Sequence, residues 1–126
     1  MSIKALPAQE HTFQLKLEGN DTRQKFEGSF TYKRPNIRIS TEIDKTTAIL
    51  NGGILGLDED TQFFHKMLAT LKHTVIKYPE WWEQSDFGYE LQDTNVVIEL
   101  YKETQKFEKE WREKVWSEEV EEKDKK

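Results

Sequence analysis

Asp58, Glu59 and Asp60 form a run of consecutive carboxylates. Such a run could hold a divalent cation or supply an acidic pair of the phosphatase kind. A calcium loop, however, spreads alternating oxygen donors, a central glycine and a distal glutamate over about twelve residues, and that pattern is missing. A phosphatase aspartate needs a buried strand before it, whereas Gly53-Ile54-Leu55-Gly56-Leu57 is short and broken by glycine. The run reads instead as the acidic opening of a helix, where carboxylates meet the positive end of the helix dipole.

The imidazoles are His11, His65 and His73. His65 and His73 stand eight residues apart on one helical stretch, too far to share a metal unaided. A zinc helix places its histidines four apart with a glutamate between. Gly52, Gly53 and Gly56 lack the lysine and hydroxyl that complete a phosphate loop, and no Gly-x-Ser-x-Gly elbow occurs. The residues therefore assign no catalytic, cofactor-binding or metal-ligating group, and the chain reads as non-enzymatic with no cofactor.

Aromatic side chains offer a different chemistry. Trp81, Trp82, Trp111 and Trp116 are four tryptophans in a small chain, and tryptophan is enriched where proteins grip partners. Adjacent Trp81 and Trp82 cannot both enter one core, so one should be buried and the other part-exposed. Trp111 falls on the apolar stripe of the last helix and Trp116 lies off its centre line. These four are the candidate partner-binding residues, against the plainer reading that the indoles complete the core. From Lys102 to Lys126 there are eight basic and nine acidic residues. Glu108–Arg112, Glu110–Lys114 and Glu119–Lys123 place acid four residues before base, which suits an exposed helix.

Several elements must position these side chains. Phe13, Leu15 and Leu17 alternate with polar residues, as do Phe26, Gly28, Phe30 and Tyr32, and period-two alternation marks half-buried strands. Gly19-Asn20-Asp21 between them is turn chemistry, so residues 12–33 are expected to form an antiparallel hairpin. Helices are expected at about 36–51, 58–78 and 93–116. Asn36 caps the first and Gly52-Gly53 stops it. Phe63, Phe64, Met67, Leu68, Leu71, Val75 and Ile76 stripe the second, which Pro79 ends. Residues 80–90 read as a connection. Asp93 caps the third helix, whose apolar side carries Val97, Leu100, Tyr101, Phe107, Trp111 and Val115. The expected fold class is α+β, an N-terminal antiparallel hairpin packed on three main helices. Residues 1–116 make one domain, and 117–126 read as a charged, frayed tail.

Composition narrows the partners. The chain has 126 residues, 34% of them charged, with a net charge of −5 and no cysteine. Disulfides, thiol catalysis and thiolate metal sites are excluded. A nucleic-acid binder needs a basic face, and anionic lipid attracts basic segments, so neither nucleic acid nor membrane is an expected partner. No run of 18 apolar residues occurs, and Met1 to Glu10 lacks a signal-peptide core.

The order of these features resembles the small tail assembly chaperones of long-tailed bacteriophages. The resemblance is carried by Tyr32-Lys33-Arg34-Pro35 at the end of the hairpin, Ile49-Leu50-Asn51-Gly52-Gly53 at a helix end, and Leu57-Asp58. It continues through Lys77-Tyr78-Pro79-Glu80-Trp81-Trp82, then Leu100-Tyr101 and Phe107-Glu108. It spans residues 12–116. It implies a non-enzymatic protein of the host cell cytoplasm that coats the phage tape measure protein and then hands over to tail tube protein. Self-association through the hairpin edge would let copies line up along that client. The resemblance also implies a longer frameshifted product, for which the A-rich lysine codons of the Lys123-Asp124-Lys125-Lys126 stretch could provide a slippery site. Two other readings stand beside it: a structural virion protein, such as a head–tail connector or tail component, and a small acidic protein that binds a host factor.

Overall fold

The computed structural model describes residues 5–52 and 57–124, with side chains described up to Ser117. Its fold is α+β, as the sequence patterning implies. Two long strands, β1 (Glu10–Glu18) and β2 (Lys25–Lys33), pair antiparallel without a bulge, with Phe13 opposite Phe30 and Leu17 opposite Phe26. Alternation sends His11, Phe13, Leu15 and Leu17 to one face together with Phe26, Phe30 and Tyr32. That face lies against the helices.

Helix α1 (Ile37–Asn51) has the ends its sequence announces. The Asn36 side chain accepts from the Ile39 N–H at 2.9 Å, and Gly52 takes φ +65°, the left-handed cap that glycine adopts without strain. Helix α2 (Glu59–Thr74) follows, with Glu59 and Asp60 in its first turn. Asp58 precedes it without a side-chain capping bond. The Gly53–Gly56 part of the connection lies outside the described residues.

The second helix is shorter than the expected 58–78. Val75, Ile76 and Lys77 leave it to form strand β3 (Val75–Lys77), which pairs antiparallel with β2 through Tyr32–Val75 and Thr31–Lys77. The sheet therefore has three strands in the order β1-β2-β3. Two β-branched residues favour the extended form, Tyr78 is held out of the helical region by Pro79, and β2 supplies a waiting edge. Met67, Leu68 and Leu71 are buried as the helical stripe requires, but Phe63 and Ile76 face solvent.

The expected connection after Pro79 contains a short helix, α3 (Glu80–Gln84), which drives Trp82 into the centre of the core. Its chain then turns through Asp86, Phe87 and Gly88, all at positive φ. Helix α4 (Thr94–Asp124) crosses the molecule and buries Val96, Val97, Leu100 and Thr104. It continues to Asp124, so the frayed tail expected from 117 is helical through that residue. The Glu- and Lys-rich composition of that stretch favours helix intrinsically. Its length is about 46 Å at the usual rise per residue.

Candidate protein-interaction site

The four tryptophans have four different surroundings. Trp82 is 0% exposed, edge-on to Phe30, and a Cβ on Gly88 would sit 2.6 Å from its ring. Its indole Nε1 is buried and finds no acceptor among the described residues. Trp82 thus offers no surface to a partner and is a core residue. Trp81, its neighbour, is half-buried. It lies over Phe26 and Phe30 and donates from Nε1 to the Glu27 carbonyl at 2.8 Å, which pins α3 to the sheet.

Trp111 is also half-buried. The Arg34 guanidinium sits 3.6 Å above its ring, a close cation–π contact. Its Nε1 reaches the Pro7 carbonyl at 3.4 Å. Trp116 is 69% exposed. The structure does not bring the four together, and Trp116 alone presents most of its surface.

Other apolar surface lies where the sequence patterning did not point. Ile37 and Ile49 on α1 are 87% and 76% exposed, and Phe63 on α2 is 56% exposed beside Tyr101 of α4. Helix α1 buries only Ile43 completely, so it lies on α2 as an outer layer. Two histidines fasten it there. His65 Nδ1 meets Asn51 Oδ1, and His73 Nε2 meets Thr46 Oγ1, both at 2.7 Å. Burial, with Lys72 nearby, lowers the His73 pKa below its ordinary 6.5.

A polar cleft of about 400 Å³ opens between the end of β2, α1, α2 and α4, with Tyr32, Arg34, Lys66, Tyr101, Glu108 and Arg112 on its walls. Glu108 was expected as an exposed partner of Arg112, but it is buried. Its Oε1 accepts from the Tyr32 hydroxyl at 2.5 Å, and the Arg34 Nε donates to Oε1 and Oε2 at 3.1 and 2.9 Å. Arg112 donates instead to the Glu108 carbonyl at 3.3 Å. Burial and the adjacent carboxylate push the Tyr32 phenol well above its ordinary range. The phenol therefore stays a proton donor at any ordinary pH. Its proton and the Arg34 Nε proton are both spent on Glu108, which makes this group a strut from β2 to α4.

The opening of α4 is built around Asp93, which is buried. It was expected to cap its own helix, yet its oxygens go to the hairpin loop. Oδ1 accepts from the Asp21 and Thr22 N–H groups at 2.7 Å each, and Oδ2 from the Thr22 hydroxyl at 2.5 Å. Burial alone would raise this carboxyl's pKa, but the Thr22 hydroxyl and the two N–H groups outweigh it and lower the value. A Cβ on Gly19 would collide with this carboxylate, so the close approach requires glycine. The Asn95 amide extends the joint by donating to the Glu18 carbonyl at 2.9 Å.

Among the described residues, no three histidine, aspartate or glutamate side chains converge as a metal shell. No described helix is long and apolar enough to cross a membrane. No protein-family model, curated protein or solved structure matches this chain.

Proposed function

We propose that this chain is a non-enzymatic assembly chaperone of a long-tailed bacteriophage. It holds the tape measure protein before the tail tube forms around it and helps recruit tail tube protein, working in the host cell cytoplasm. The observation that supports this reading best is Trp116, 69% exposed on the far part of α4, with half-buried Val115 beside it and charged residues around both. A mainly polar helix carrying a few large apolar anchors suits a long helical client that must later be released. Exposed Ile37, Ile49 and Phe63 add apolar surface on the outer helices. The motif order from Tyr32-Lys33-Arg34-Pro35 to Phe107-Glu108 is what points to tail assembly in particular.

Co-expression with a phage tape measure protein tests the proposal. The expected result is a soluble complex that Trp116→Asp weakens, while purified virions lack the chain. A stoichiometric amount of the chain in purified virions would overturn it in favour of a structural tail or connector protein. A tight one-to-one complex with a host protein would overturn it in favour of a host-interaction role.

A further inference from the structure

Strand β1 is the end strand of the sheet, nine residues long, without proline or bulge, and no described residue pairs with its outer edge. Native proteins usually blunt such an edge, because its unpaired N–H and C=O groups form a template for another strand. The ladder shows which groups are free. Gln9 and Gly19 bond to Arg34 and Gln24 at its two ends, and antiparallel pairs alternate between bonded and non-bonded. The odd-numbered residues of β1 therefore bond to β2. The N–H and C=O groups of Glu10, Thr12, Gln14 and Lys16 point outward. The side chains agree with this: Thr12 and Thr31 form a non-bonded pair, where side chains stand closest, and their hydroxyls meet at 2.8 Å.

We propose that two copies of this chain pair antiparallel along the β1 edge, about a twofold axis at Phe13, joining their sheets into one sheet of six strands. The register follows from charge. An axis at Phe13 places Glu10 opposite Lys16 and Thr12 opposite Gln14, twice each, so the outward N–H and C=O groups of these four residues all bond. An axis at Gln14 would set Glu10 against Glu18 in both halves, and the Glu18 carbonyl is already taken by Asn95. An axis at Thr12 leaves Lys16 facing Ala8. At the Phe13 axis the two half-buried rings meet on the core face at a non-bonded position, and Leu15 stands opposite His11. The aromatic layer of His11, Phe13, Phe30 and Phe107 then runs across the junction. Lys16 and Glu10 are both exposed, and the Lys16 ion pair with Glu27 is long, at 3.5 Å, so both can reach across. The inference does not depend on the identity of any client.

Sedimentation equilibrium on the full chain is expected to show a monomer–dimer equilibrium. Glu10→Lys sets lysine against Lys16 at both pairs, and Lys16→Glu sets glutamate against Glu10 at both. Each variant alone is expected to weaken dimerisation about tenfold or more. An equimolar mixture of the two should recover the wild-type dimer, because every opposed pair is then complementary. Circular dichroism confirms that each variant is folded. Hydrogen exchange on the wild-type chain gives a second readout, with the Thr12, Gln14 and Lys16 amides slowing as concentration rises. A monomer at every soluble concentration overturns the proposal, as does a dimer indifferent to both variants. A β1 edge protected only by a bound client strand would overturn it equally.

Discussion

Asp93 closes the β-hairpin from the far side of the sequence: its Oδ1 holds the N–H groups of Asp21 and Thr22 at 2.7 Å, and its Oδ2 takes the Thr22 hydroxyl. This joint fixes the hairpin loop to the start of α4, so sheet and long helix move as one body. A short acidic side chain that satisfies three donors in a buried place has no equivalent substitute. Asp93→Asn lowers the thermal midpoint, and Asp93→Ala lowers it further. The carboxyl pKa is lowered by folding. Its stabilisation is therefore complete above the ordinary value of 3.8 and is lost as pH falls through the lowered folded value. Urea midpoints of wild type and Asp93→Asn, measured against pH, should converge only in that acid range.

The Tyr32–Glu108–Arg34 strut separates two effects that a deletion would merge. Tyr32→Phe removes one donor and leaves Glu108 paired with Arg34, so it should cost about 1 kcal/mol. Glu108→Ala strands both the phenol and a largely buried guanidinium and should cost about 3 kcal/mol. Folding raises the Tyr32 pKa. The corresponding stability is present below the ordinary 10.0 and is lost as pH rises above it. Wild type should weaken above that pH more steeply than Tyr32→Phe, as read from denaturant midpoints.

The tryptophans should divide cleanly. Trp82→Ala removes a fully buried indole and should cost about 3–5 kcal/mol, leaving little folded protein. Trp116→Asp should change stability by less than about 0.5 kcal/mol while weakening the proposed client complex. Acrylamide quenching gives the check: Trp116→Phe should remove the most readily quenched part of the emission and leave a protected part, to which buried Trp82 contributes. Equal quenching would contradict the placement of α3.

His73 joins α1 to α2 through Thr46, and folding lowers its pKa. Its contribution is present above the ordinary 6.5 and is lost as pH falls through the lowered folded value. The NMR titration of its ring should therefore have a midpoint below 6.5, and His73→Gln should flatten the pH dependence of α1 amide exchange between neutral and mildly acid pH. A midpoint at or above 6.5 would show that the ring is not held in the packed joint.

Local chemistry was legible in the residues. The hairpin follows from two runs of period-two alternation, and the ends of α1 follow from Asn36 and Gly52, because a cap acts on groups within four residues of itself. The α+β class follows from both. Residues 75–77 read as helix because Val75 and Ile76 continue the α2 stripe. They are a strand because Tyr32 and Thr31 offer partners from another part of the chain. That one of Trp81 and Trp82 would be buried was legible from adjacency alone, but which one was settled by the turn of α3.

The roles of Asp93 and Glu108 show the boundary most clearly. Each had a sound local reading, Asp93 as the cap of its own helix and Glu108 as an exposed partner of Arg112. Each is claimed instead by residues more than 70 positions away. The sequence by itself determined periodicity, caps, turns and the charge balance, which arise among near neighbours. Only the tertiary structure decided which polar groups are buried together, which indole remains exposed, and which strand edge stays open. Those outcomes depend on desolvation, and a side chain's desolvation is set by every element packed against it.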